Sequence, residues 1–391
     1  MLDRRIVAAI CLAPLVGLLN AFALAPFLPL IAAEMGTSVA LLGQVPATMQ
    51  LVATGLGLVA GPLADRYGYR RLLLAGAAAV IVSSAGIAAA GGIAALVVAA
   101  VVGALSRAVM QPVSLTVAGT RFAGDARRQA ISYVTAAISG AGTVGVPLLT
   151  TVALFYGWRG AFDALALLGV AALALLFVAL PEGERAGVGE HVRLRQLLAA
   201  YRPLLADRST LGLIASNMLR STANWSSTTY IAAYLVEAHG LTPQVGGLAL
   251  AISGAGQMVG GLIGGGKRFG DRPARPLLAA VNSLIGLTIG ASMALPIGPP
   301  AIFGLILVGS LIGGVGNVAS TTLLVTETRA GRGTTLTLNQ SGFSLASACG
   351  GALGGLLLAL WGYHAIGLAI PLLCFASAWL VLASRRRSDA G

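Results

Sequence analysis

The chain of 391 residues is 57% hydrophobic and only 10% charged, against roughly 25% charged residues in a water-soluble domain. Its net charge of +12 would suit nucleic acid on a soluble surface, but the basic residues lie between apolar runs, where membrane topology and anionic lipid account for them. Cys11, Cys349 and Cys374 fall in apolar runs without paired spacing or a neighbouring histidine. That excludes a disulfide framework or metal site and leaves small buried hydrophobes.

A helix needs about 20 apolar residues to cross the hydrocarbon core. In chain order the runs that qualify are 6–30, 41–62, 72–90, 93–117, 131–154 and 160–180, then 210–236, 243–265, 276–296, 299–325, 334–359 and 364–383. The first run carries no signal-peptide cleavage pattern and is expected to stay as the first span. Segments between runs alternate between short, nearly uncharged turns and polar, basic loops. The termini and basic loops hold 22 of the 25 Lys and Arg residues. This bias predicts a multi-pass protein of the cytoplasmic (inner) membrane with both termini cytoplasmic. Abundant glycine, 53 residues, suits close helix approach in lipid.

The expected fold is an all-α membrane protein with twelve transmembrane helices in two pseudo-symmetric six-helix bundles. The longest polar stretch divides the chain into a bundle at 1–180, a cytoplasmic linker at 181–209 and a bundle at 210–391. Within the linker, 191–201 forms either a short interfacial helix or a solvated connection. Two matches relate the halves: Arg66-Tyr-Gly-Tyr-Arg70 with Arg268-Phe-Gly-Asp-Arg272, and Gly157-Trp158-Arg159 with Gly362-Tyr363-His364. Parallel repeats of this kind place a substrate site at the midplane.

The loop after span two reads Gly61-Pro-Leu-Ala-Asp65-Arg66-Tyr-Gly68-Tyr-Arg70-Arg71. It resembles the signature of the major facilitator superfamily, and the resemblance covers essentially the whole chain. Span five carries Gly140, Gly142, Gly145 and Pro147, a partial match to the superfamily's antiporter motif; Val146 intervenes before the proline and Thr150-Thr151 follow where a glycine pair is usual. The Gly157-Trp158-Arg159 turn is similar to the drug-efflux-like branch. The resemblance implies a major facilitator fold, alternating access and proton coupling. It makes Gly61, Asp65, Arg66, Gly68, Arg70 and Arg71 a cytoplasmic latch, with Gly145 and Pro147 as a bending element. Asp65 can hold arginines and favour a helix N-terminus by its charge. In the second half Lys267 stands in place of Asp65, and Glu327 at the inner end of span ten is expected to supply the acid.

Arg107 in span four and Arg220 in span seven lie mid-helix. Each costs about 2.5–3.5 kcal/mol on insertion scales unless it meets water, a partner or a substrate. The arginine fork pairs bidentately with carboxylate or phosphate. Asn217 and Asn224 share the Arg220 face by helical spacing. With Asn20 and Gln111, these residues form the expected substrate-binding set. Gln50, Gln257, Asn317, Asn339 and Gln340 are further intramembrane amides. The segment around Arg107 also resembles one common in proton-coupled members with varied substrates, so coupling or helix contact fits it as well. Asp163 is the acid nearest the outer half of the cavity and Asp65 the inner one.

The apolar spans and intramembrane polar groups predict a secondary transporter of small organic solutes, working as a monomer in the bilayer, and the resemblance implies a proton-coupled exporter of drugs or metabolites. The alternative is uptake or exchange of a small organic anion bound between Arg107 and Arg220. A non-transporting membrane sensor is disfavoured by the many intramembrane polar groups. No nucleophile–base pair, metal cluster or cofactor-binding motif is present, and Gly264-Gly265-Gly266-Lys267 lacks the spacing and the following Ser/Thr of a phosphate loop, so neither an enzyme nor a cofactor is expected.

Overall fold

The computed structural model describes residues 3–181, 207–264, 274–327 and 332–384. The expected interfacial helix at 191–201 and the loop residues Lys267, Arg268 and Arg272 lie outside them. Among the described residues the chain is helical throughout, without a strand. In order the helices are α1 Arg4–Phe22, α2 Leu28–Glu34, α3 Val39–Leu42, α4 Gln44–Tyr67, α5 Tyr69–Ala88, α6 Ile93–Arg121 and α7 Gly124–Gly140. There follow α8 Val146–Ala179, α9 Arg208–His239, α10 Pro243–Gly264, α11 Ala274–Ala294, α12 Pro299–Glu327, α13 Arg332–Trp361 and α14 Tyr363–Ala383.

Ten described segments are long and apolar enough to cross a bilayer. One of them, Gln129–Ala179, runs 51 residues and breaks at Gly157, whose φ of 68° and ψ of 179° leave the helical region. The 32-residue α9 has the length of a span, but its Ser, Thr and Asn residues keep its hydropathy down. Ten such spans are shown among the described residues, against twelve expected from the sequence; the difference lies in the undivided long segment and in α9.

Two compact units emerge, Met1–Glu190 with Leu241–Ala251, and His191–Gly240 with Ile252–Gly391. In the first, α1 packs on α6, α7 and α8, while α5 packs on α6 and α8. The first turns of α10 belong to this unit, with Gly247 so close to Thr150 that a Cβ would sit 2.9 Å from its methyl. In the second, α9 packs on α13 and α14, and α11 on α12 and α14. Leu213, Ile214, Leu278, Leu323, Leu324 and Val381 form one core there.

Close approach between α10 and α12 depends on missing side chains. A Cβ at Gly260 would lie 2.0 Å from the Leu311 carbonyl oxygen, and one at Gly314 would lie 2.3 Å from the Gln257 carbonyl oxygen. No side-chain movement relieves a clash with backbone, so only glycine fits this crossing. Between α7 and α8 the chain makes a π turn over Ala141–Gly145. Pro147 has no N–H to give the Thr143 carbonyl, and the wider turn absorbs the lost bond.

The repeat is visible at both ends of the units. Gly157 and Gly362, at φ 68° and 77° with extended ψ, adopt a conformation essentially restricted to glycine. Each starts a helix whose next residue seeks a carboxylate. Trp158 Nε1 donates to Glu34 at 2.7 Å, and Arg159 bonds the other oxygen of Glu34. Tyr363 donates to Glu237 at 2.6 Å. At the opposite ends, Arg70 donates to the Phe177 carbonyl at 2.9 Å and Arg275 to that of Val381 at 2.7 Å. The second unit therefore uses Arg275 at the place where the first uses Arg70.

Candidate substrate site

Arg220 lies near the middle of α9 and is 6% exposed. Its Nη2 donates to Asn217 Oδ1 at 2.5 Å, one turn earlier, and to Asn317 Oδ1 on α12 at 2.9 Å. Because a guanidinium only donates, both amides must present oxygen to it. Asn217 is then left with its Nδ2, which donates to Asn339 Oδ1 on α13 at 2.8 Å. One charge thereby sets the orientation of two amides and ties three helices. Asn217 is buried, Asn339 half-buried and Asn317 exposed. Nε of Arg220 is buried and has no partner among the described residues.

The acids of the second unit are engaged elsewhere. Three lie among its described residues, and none reaches Arg220. Asp207 caps α9, accepting from Ser209 N at 3.2 Å and Thr210 Oγ1 at 2.7 Å. Glu237 takes the Tyr363 hydroxyl. Glu327 accepts from Arg275 Nε at 3.0 and 3.1 Å and from its Nη2 at 2.5 Å. Arg275 also donates to Ser209 Oγ at 2.7 Å. The expected acid of the second half thus meets Arg275 at the end of the bundle.

In the first unit Arg107 is half-buried on α6 and donates from Nη1 to Gln111 Oε1 at 3.1 Å, one turn along the same helix. Asn20 is 1% exposed and ties α1 to α5, donating to Ser84 Oγ at 3.0 Å and to Ser83 Oγ at 3.5 Å. Asn224 is half-buried on α9. The structure therefore brings Arg220 and Asn217 together with Asn317 and Asn339, and Arg107 with Gln111.

The remaining expected positions are dispersed. Gly61, Asp65 and Arg66 sit in α4, and their side chains lie outside the described residues. Gly68 precedes α5; Arg70 stacks over Phe177, 4.7 Å from its ring centroid, and Arg71 is exposed. Gly145 closes the π turn against Leu19, where a Cβ would come to 2.9 Å. Pro147 follows in α8, and Asp163 is exposed one turn beyond Arg159. Sequence reading missed Glu34, Glu237 and a second buried network, in which Asn282 Nδ2 donates to Ser377 Oγ at 2.8 Å. Glu34 and Glu237 carried a usable signal: each precedes its aromatic partner by a similar interval, 124 and 126 residues.

Ten long apolar helices define a multi-pass membrane protein. The pattern of the Major Facilitator Superfamily matches residues 10–331 and 213–391. A chloramphenicol resistance protein of Streptomyces lividans is 28% identical over 372 residues, covering 92% of this chain and 89% of that protein. Among solved structures, a point mutant of the nucleoside transporter NupG superposes with a TM-score of 0.77 at 11% identity, over 97% of this chain and 100% of that one. A bacterial homologue of the human lysosomal transporter Spinster gives 0.72 at 16% identity, over 97% and 92%. The chain belongs to the major facilitator superfamily. It is a transporter of small molecules in a lipid bilayer and not an enzyme.

Proposed function

We propose that this protein exports small organic compounds across the cytoplasmic membrane by alternating access, in exchange for protons. The similarity to a chloramphenicol resistance protein along 92% of the chain carries this reading. Two six-helix bundles at 1–180 and 210–391, joined by a cytoplasmic linker at 181–209, perform the movement within one monomer, with both termini cytoplasmic. Gly145 and Pro147, beside the π turn, supply a place where a helix can bend. The residues around Asp65 form the cytoplasmic latch, and Asp163 stands on the outer proton path.

The test is transport in everted membrane vesicles, with chloramphenicol first in a panel of neutral, anionic and cationic compounds. Uptake into such vesicles is expected to follow an imposed pH gradient and to collapse when the gradient is dissipated. Transport indifferent to the gradient removes proton exchange from the reading. Absence of transport for the whole panel removes export.

A second reading, uptake or exchange of an anionic solute, is favoured by one observation: Arg220 is buried and, among the described residues, has amides as its partners. In right-side-out vesicles, accumulation of a labelled anion that ignores chloramphenicol would select it.

A further inference from the structure

We infer that the second unit contains a receptor for a carboxylate, formed by Arg220 with Asn317 as its displaceable occupant. The inference rests on the reading of this chain as a solute transporter, and it names the group on the solute that the site recognises. A guanidinium has five N–H donors. Two bonds leave from Nη2, to Asn217 and Asn317, while Nε is buried and has no partner among the described residues. Nε and Nη2 form one edge of the planar fork, which matches the two oxygens of a carboxylate. Half of that edge is unused and the other half is held by neutral amide oxygen.

An arginine within a span ordinarily pairs with an acid or a backbone carbonyl, whereas Arg220 is held by two side-chain amides. The three described acids of the unit, Asp207, Glu237 and Glu327, are committed to other groups. Among the described residues the positive charge is therefore compensated by dipoles, and no described acid of the unit competes with an arriving anion.

The exposures of the two asparagines decide which one yields. Asn217 is buried and also holds Asn339, so moving it breaks a second bond. Asn317 is exposed and can turn its amide away at the loss of one bond. A carboxylate then takes the Asn317 position at Nη2 with one oxygen and accepts from Nε with the other. Asn217 stays in place and fixes the plane of the fork. Amides and alcohols of the same shape lack the charge and the second acceptor, and the site discriminates against them. Organic cations are repelled.

The test uses the full chain purified in detergent, with benzoate as probe and benzamide, benzyl alcohol and benzylamine as matched controls. Thermal unfolding is followed as a function of ligand. Benzoate is expected to raise the midpoint by roughly a few degrees in a saturable manner, because a ligand that binds only the folded state stabilises it, and the controls to leave it unchanged. Arg220→Gln abolishes the response. Asn317→Asp supplies an internal carboxylate, so it raises the midpoint without ligand and abolishes the benzoate response; this variant stands as the decisive one if Arg220→Gln fails to fold. Asn317→Ala removes the occupant, and half-saturation moves to lower benzoate. Equal shifts with benzamide, no shift with benzoate, or a response that survives Asn317→Asp overturns the inference. Binding is read without any gradient or transport, so a chain that binds benzoate but exports nothing separates this failure from that of the export reading.

Discussion

Arg107 in the first unit is half-buried and reaches Gln111 on its own helix at 3.1 Å, whereas Arg220 in the second is 6% exposed and bonded to asparagines on α9 and α12. Both sit at a depth where a charge is costly, yet they are held differently. Arg107 can change rotamer for the loss of a single bond within one helix. Moving Arg220 breaks two bonds and loosens Asn217, on which Asn339 depends. A side chain fixed by its neighbours presents donors without reorganisation, as binding sites require. One held by a single bond suits a role that includes movement. The duplicated architecture thus carries two different polar devices.

The contrast sharpens where the second unit is most densely bonded. Arg275 donates to Glu327, Ser209, the Val381 carbonyl and Ser384. Removing one partner of a buried ion pair costs about 3–5 kcal/mol. Glu327 keeps 30% of its side-chain surface exposed, so Arg275→Ala is expected to cost about 3 kcal/mol, the lower end of that range. Denaturant unfolding of the purified protein measures it. A loss below about 1 kcal/mol, the worth of an exposed pair, would mean that the Arg275 network does not hold the unit together.

Next in size is Asn217→Ala. It leaves an Arg220 donor and the Asn339 oxygen without their partner, and unsatisfied buried groups cost about 1–3 kcal/mol. Asn224→Ala on the same helix serves as the comparison. Asn224 is half-buried, and its substitution is expected to stay within about 0.5 kcal/mol. Equal losses in the two variants would erase the special standing of the Arg220 network.

The smallest effect is expected for Gln111→Ala, which removes one half-buried intrahelical bond and costs at most about 1 kcal/mol. If Gln111→Ala destabilises as much as Asn217→Ala, then Arg107 is as firmly anchored as Arg220 and the distinction between the two units fails.

Much of the fold was legible because hydropathy is local. The apolar runs lie where the helices lie, and most of the described basic residues sit at helix ends. Gly157 and Gly362 marked equivalent helix starts, since a backbone conformation restricted to glycine writes itself into the sequence. The mid-helix position of Arg107 and Arg220 was legible too, and so was the sharing of a helix face by Asn217 and Arg220. Their partners were another matter. Asn317 is 97 residues from Arg220, and Asn339 is 122 from Asn217. Helices apolar on every side carry no stripe that says which face turns inward, so Asn20 could not be separated from the Arg220 group before its serine partners were seen.

By itself, then, the sequence determined the all-helical membrane class, the doubling of the architecture and the position of two deep positive charges. Each follows from properties of a residue and its near neighbours along the chain. Only the tertiary structure decided which amides surround Arg220, that Asn20 is a tie between helices, and that Glu327 belongs to Arg275. Hydrogen bonds between helices have a reach of about 3 Å, and nothing in a local stretch of sequence fixes which of several buried amides arrives within it.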